Sequence, residues 1–136
     1  MKKERKQEII NSLEMCVNLV DKDLESYFQN LHQLGKNLVK DRTTTDLGRF
    51  FNVLGNENRL NILKLLMQKD YCVCELEAIL DKSQSSISHH LKLLENEGLI
   101  RGIKRGYFTH YELVSEKFIN YLNTFKEQYP FIRKFN

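Results

Sequence analysis

S-Q-S-S-I-S-H-H-L-K-L-L-E-N-E-G-L-I, residues 83–100, runs directly into R-G-I-K-R-G-Y-F-T-H-Y, residues 101–111, and from this stretch the fold is read. Ile87, Leu91 and Leu94 recur at helical spacing, while Gln84, Ser85, Ser86, Ser88, His89 and Lys92 fill the other face. One face packs and the other offers hydrogen bonds. Gly98 stands where a helix C-cap is expected, and L-I-R-G-I-K-R-G-Y-F-T-H-Y-E-L then reads as two short strands about a basic turn at Lys104-Arg105-Gly106. A polar helix face followed at once by a basic hairpin suits a helix that enters the DNA major groove beside a wing.

The charge is placed accordingly. A formal net charge of +3 over 136 residues is too small an excess to argue nucleic-acid binding alone. Between Lys82 and Arg105, however, Lys82, Lys92, Arg101, Lys104 and Arg105 face only Glu95 and Glu97, so the local excess equals that of the whole chain. No apolar run approaches the roughly 18 to 20 residues of a membrane span, and M-K-K-E-R-K-Q-E is not followed by a signal-peptide core, so a cytoplasmic protein without a membrane partner is expected. In a reducing compartment the three cysteines, Cys16, Cys72 and Cys74, read as free thiols, ligands or redox groups rather than a disulfide framework.

Upstream, Ile10, Leu13, Val17, Val20, Leu24, Tyr27, Leu31, Leu34 and Leu38 follow one another in a 3-4 alternation, with Leu19 and Phe28 off the seam. Such a heptad seam predicts one long helix over residues 1–42 that packs on another long helix. Dimerisation is its preferred use; folding back on the last helix of its own domain is the alternative. The run D-R-T-T-T-D, residues 41–46, marks the break, and a new helix is expected near Thr45. Leu47, Phe50, Phe51 and Leu54 give a short helix closed by Gly55-Asn56. Leu60, Ile62, Leu63, Leu65, Leu66 and Met67 give a central, largely buried one. In Y-C-V-C-E-L-E-A-I-L, residues 71–80, Leu76, Ile79 and Leu80 point inward, and a tight turn at Asp81-Lys82 precedes the opening helix. Phe118, Leu122, Phe125 and Tyr129 form a last stripe stopped by Pro130, whose expected partner is the N-terminal helix. The fold class is therefore mainly α with a small β-hairpin. It is a winged helix-turn-helix over residues 43–114, flanked by a long helix at 1–42 and a shorter one within 115–136, both for dimerisation.

From Leu54 to Glu112 the sequence resembles the ArsR/SmtB family of winged-helix repressors. L-G-N-E-N-R-L-N-I-L is similar to the start of the family's second helix, Y-C-V-C-E-L to its cysteine-bearing helix start, S-Q-S-S-I-S-H-H-L-K-L-L to its recognition helix, and G-Y-F-T-H-Y-E-L to its wing. The stretches are ordered and correctly spaced over roughly half of the chain, and the heptad segment lies outside them. The resemblance implies a homodimer on double-stranded operator DNA, with Gln84, Ser85, Ser86, Ser88 and His89 near bases and phosphates. Gln suits adenine, and helix N-terminal amides suit phosphate. Lys92, on the same face, joins this set. Lys104 and Arg105 are expected to track the backbone, with Tyr107 steadying the hairpin. His90 is expected to be a half-buried filler beside Leu94.

Cys72 and Cys74 are two residues apart, which on a regular helix points their side chains about 200° apart. At a helix N-terminus they can converge, and the positive end of the helix is expected to lower their pKa. The resemblance implies a thiol-binding metal or metalloid, such as As(III) or Cd(II), that releases the repressor; none is needed for DNA binding itself. The chain departs from the arsenic pattern at Glu77, where a further cysteine is usual, so two thiolates leave a trigonal or tetrahedral site incomplete. Cys16, beside the heptad seam, is the candidate third ligand. The family's C-terminal metal site is not expected, because Ser115, Lys117 and Gln128 occupy that region, and neither His32 nor His110 has a ligand set nearby in sequence. A thiol redox-responsive repressor and a winged-helix protein-interaction module are the alternatives. Without a phosphate-binding Gly loop, a nucleophile elbow or a His-Glu metal helix, an enzyme is not expected.

Overall fold

The computed structural model describes residues 1–17 and 23–135, with side chains up to residue 132. The chain divides into two compact units, Met1–Arg42 and Thr43–Asn136.

The first unit holds α1 (Lys3–Cys16) and α2 (Leu24–Lys40), which pack on each other. Two helices stand where the heptad pattern predicts one. Val17 is extended, at φ −119° and ψ 119°, and closes α1 with its N–H on the Leu13 carbonyl. Asp23 then opens α2, its carboxylate accepting from the Glu25 N–H and the Ser26 hydroxyl, each at 3.0 Å. Periodicity reports which face is apolar but not whether the backbone is continuous, and an aspartate cap inside the pattern starts a new helix. Val20 and Leu19 lie outside the described residues. Ile10 and Phe28 are the buried residues of the two helices, so Phe28, off the seam, makes the inner contact. Leu31, Leu34 and Leu38 of the seam stay exposed.

The second unit runs α3 (Arg42–Leu54), α4 (Glu57–Leu66), β1 (Tyr71–Cys72), α5 (Val73–Leu80), α6 (Gln84–Asn96), β2 (Ile100–Arg105), β3 (Phe108–Leu113) and α7 (Ser115–Gln128), ending in a 3-10 turn over Pro130–Phe135. The helix expected near Thr45 begins three residues earlier, directly after Asp41 closes α2. Phe50, Ile62, Leu76, Ile87, Leu91, Leu94, Leu99 and Ile100 are completely buried and form the heart of one core. On α4 only Ile62, Leu63 and Leu66 go inside with Arg59, while Leu60 and Met67 are exposed, and on α5 Ile79 is exposed as well.

The sheet order is β1-β3-β2, antiparallel throughout. Its two-residue first strand pairs Tyr71 with Tyr111 and Cys72 with His110. Gly98 at φ +74° ends α6, with the Leu99 N–H on Leu94 O and the Gly98 N–H on Glu95 O, which turns the chain into β2. Gly106 at φ +66° makes the two-residue wing turn with Tyr107.

Within this unit α7 packs on α3. Tyr121 stacks on Phe50 at 4.4 Å, Phe118 meets the same ring edge-on at 5.9 Å, and Phe125 meets Phe51 at 4.8 Å. Aromatic rings in offset and edge-to-face contact bring both area and geometry, and they rotate the inward stripe to 118, 121 and 125, leaving Leu122 exposed. Beside the stack, the buried Glu97 carboxylate accepts from the Tyr121 hydroxyl at 2.6 Å and from Arg49 Nε at 3.0 Å.

His90 is more than a filler. It is buried with its Nδ1 3.2 Å from the Arg59 guanidinium, which also donates to the Val53 carbonyl at 2.6 Å and the Asn52 carbonyl at 3.3 Å. Arg59 thus ties the end of α3 to the middle of α6. With that cation as donor, Nδ1 is the acceptor of a neutral ring. Burial first, then the charge of Arg59, then His89 and Lys82 hold the His90 pKa below its ordinary 6.5. The folded state therefore binds fewer protons than the unfolded chain below that value. Stability is fully present above pH 6.5 and falls as pH drops through the window beneath it. Thermal unfolding followed across that range is expected to show the decline, and His90→Gln to flatten it; an unchanged slope in the variant would assign the acid sensitivity elsewhere.

Candidate nucleic-acid interface and thiol centre

Ser83 caps α6, its Oγ accepting from the Ser86 N–H at 3.2 Å and lying 3.1 Å from Ser85 Oγ. Serine at this position satisfies an orphan N–H that the helix cannot. Capping fixes the first turn so that Gln84, Ser85, Ser88, His89 and Lys92 are exposed on one face, while Ile87, His90, Leu91 and Leu94 anchor the other. Ser86 is half-buried. Asp81, left-handed at φ 52°, supplies the reversal between α5 and α6.

On the wing Lys104, Arg105 and Tyr107 are exposed. Tyr107 is 102% exposed, so it does not steady the hairpin. The ladder from Ile100↔Leu113 to Arg105↔Phe108 does, with Arg101 paired to Glu112 across the strands. Arg105 serves the wing's own attachment as well as its charge, because its Nε is 3.2 Å from Asp70 Oδ2 in the segment before β1.

Cys72 is the N-cap of α5 and Cys74 lies in its first turn, so the mid-helix divergence does not arise: the two Sγ atoms are 2.9 Å apart. Glu75 closes the reciprocal cap, its carboxylate accepting from the Cys72 N–H at 3.0 Å, and that hydrogen bond is the first cause holding its pKa low. The expected lowering at the helix end is reversed for Cys72. Burial, then the hydrogen bond with Cys74, pushes its thiol above the ordinary cysteine range. Desolvation opposes the charged form more strongly than the helix end favours it. Cys74 is exposed. Cys16, also exposed, is the last residue of α1 in the other unit.

One element of this centre is invisible in linear spacing. Because β1 pairs with β3, His110 is set opposite Cys72; a ring nitrogen of His110, a Glu75 carboxylate oxygen and Cys72 Sγ all lie within 4.8 Å of one another. His110 Nδ1 is buried 3.1 Å from Asp70 Oδ2, in a geometry that makes no hydrogen bond among the described residues. The Cys72–Glu75 spacing of a capping box was readable in the sequence; nothing in it points to His110 until the strand register is known. Cys72, Cys74, Gln84, Tyr107 and Thr109 line one groove, which brings the thiols, the start of α6 and the wing to a common surface.

The comparisons with known proteins agree with this architecture. Residues 56–101 match the model of the bacterial regulatory protein, arsR family. The cadmium resistance transcriptional regulatory protein CadC of Listeria innocua is 33% identical over 97 residues, which cover 68% of this chain and 82% of that protein. The arsenical resistance operon repressor of Escherichia coli is 44% identical over 66 residues, covering 48% of this chain and 56% of the repressor. Among solved structures, an ArsR-like transcriptional regulator from Rhodococcus superposes with a TM-score of 0.61 at 25% identity, over 70% of this chain and 91% of the other. With the capped recognition helix, the wing and these relatives in agreement, the chain belongs to the ArsR family, whose members are winged-helix transcriptional regulators and not enzymes.

Proposed function

We propose that this chain is a homodimeric repressor that holds operator DNA with α6 and the wing and lets go when a thiophilic metal or metalloid occupies Cys72 and Cys74. The observation that carries the reading is the 2.9 Å approach of the two sulfurs in the groove that also contains Gln84. Two relatives bear names of cadmium and arsenical resistance, which supports the same chemistry here. Bound there, a soft cation supplies positive charge that keeps both sulfurs as thiolates. Cys72 links the cap of α5 to the ladder with the wing, so a change at its sulfur bears on the elements that flank the groove. Cys16, with its thiol exposed at the end of α1, is one candidate for the third ligand, supplied by the partner protomer.

In the DNA-bound state Gln84 reads a base edge with His89 beside it, Ser85, Ser86 and Ser88 adapt to neighbouring edges and phosphates, and Lys92, Lys104, Arg105 and Tyr107 contact the backbone. A mobility-shift titration on the DNA upstream of its gene tests this, repeated with As(III), Cd(II), Zn(II) and an oxidant. Release by a metal that Cys72→Ser abolishes is expected; release by oxidant alone would favour a redox switch, and no binding at any salt an interaction module. Gln84→Ala is expected to cost about 1–3 kcal/mol on the operator and little on random DNA. Lys104→Ala weakens both equally and makes the logarithmic salt dependence shallower by about 1.

A further inference from the structure

We infer that the thiol centre is completed by His110 from the wing strand, with Glu75 as the fourth donor, and that this mixed set takes a divalent cation of the zinc or cadmium class rather than As(III). The inference rests on the reading of Cys72 and Cys74 as a metal site and names its remaining ligands and its ion.

The donor set is assembled by the backbone. Cys72 and His110 are cross-strand partners of β1 and β3, Glu75 stands three residues along the same cap, and Cys74 Sγ is 2.9 Å from Cys72 Sγ. Directly opposed residues in a ladder hold their side chains side by side. His110, Glu75 and Cys72 already present ligand atoms within 4.8 Å of one another. With Nδ1 turned to Asp70 Oδ2 at 3.1 Å, Nε2 is the ring nitrogen that would take the cation.

The chemistry of the set selects the ion. Two sulfurs, an imidazole and a carboxylate match the ligands of four-coordinate Zn(II) and its heavier congener Cd(II). As(III) takes three thiolates, and this set holds two. Asp70 adds the regulatory element. Its Oδ2 faces His110 Nδ1 at 3.1 Å and Arg105 Nε at 3.2 Å, so one carboxylate is shared by the proposed ligand and a basic side chain of the wing. Carboxylates behind a ligating histidine orient the ring, and here the same group also tethers Arg105.

Co(II) is the probe, added to the full-length protein in a Cys16→Ser background, with Cd(II) and arsenite competitions. The expected spectrum is tetrahedral, with sulfur-to-metal charge transfer of two thiolates. His110→Gln is expected to weaken Co(II) and Cd(II) binding by about 100-fold and to leave the two-thiolate charge transfer in place at saturation. His110→Cys is expected to raise that charge transfer to three thiolates and to make arsenite a competitor, a gain that misfolding cannot mimic. Unchanged affinity and ligand field in His110→Gln would sink the role of His110 while leaving the thiol site standing. Arsenite displacing Cd(II) from the unaltered His110 site would overturn the choice of ion. Loss of the charge transfer on Cys16→Ser alone would assign the third ligand to Cys16 instead. Binding that survives Cys72→Ser with Cys74→Ser would overturn the thiol reading itself.

Discussion

Arg59→Ala is expected to lower the unfolding free energy by about 3–5 kcal/mol, because several buried acceptors lose their donor at once. The guanidinium gives hydrogen bonds to two carbonyls at the end of α3, Val53 at 2.6 Å and Asn52 at 3.3 Å, and a third to His90 on α6. Removing it leaves all three acceptors without that donor, each at about 1–3 kcal/mol where water does not replace it. The midpoint of thermal unfolding should fall by about 4–8 °C for each kcal/mol lost. Arg59→Lys restores charge but not the fork, so it is expected to rescue only part of the loss. A denaturant titration gives the number directly, and a cost under about 1 kcal/mol would mean that the carbonyls are solvated in the native state.

Leu34→Glu combined with Leu38→Glu is expected to turn the proposed dimer into a monomer and to weaken operator binding by about 10²- to 10⁴-fold, the contribution of a linked second site. Leu34 is 61% and Leu38 70% exposed on α2, and with Leu31 they continue the seam whose period favours a second long helix. Two carboxylates at such positions oppose burial against a partner. Sedimentation velocity reads the mass, and mobility shift reads the affinity of the same samples. Dimers that persist in the double variant would transfer the interface to the exposed Ile119 and Leu122 of α7.

The recognition helix and wing were legible because each signal is local: the Ser83 cap, the Ile87-Leu91-Leu94 stripe, Gly98 and the wing's alternation lie within a few turns of chain. What was not legible depends on contacts distant in sequence. The split between α1 and α2 hinges on whether Asp23 caps a helix or sits inside one, and a heptad pattern is satisfied either way. Leu122 fits the helical stripe as well as Tyr121 does, and only the stack on Phe50 and the bond to Glu97 fix the rotation of α7. β1 has two residues, too few to show a period, and without it His110 has no reason to meet Cys72. The direction of the Cys72 pKa is hidden for a related reason, since the helix end is a local feature and burial is a property of the assembled core.

The thirteen residues of α6 span about 20 Å. Its polar ties to the rest of the fold, Arg59 with His90 and Arg49 and Tyr121 with Glu97, sit at its middle and its last turn. Ile87, Leu91 and Leu94 also carry its apolar face into the core along its length, so α6 moves only as one piece with that core. A rigid tilt of about 10° about its last turn would carry Gln84 by roughly 3 Å, a full hydrogen-bond length. Cys74 lines the groove at that end.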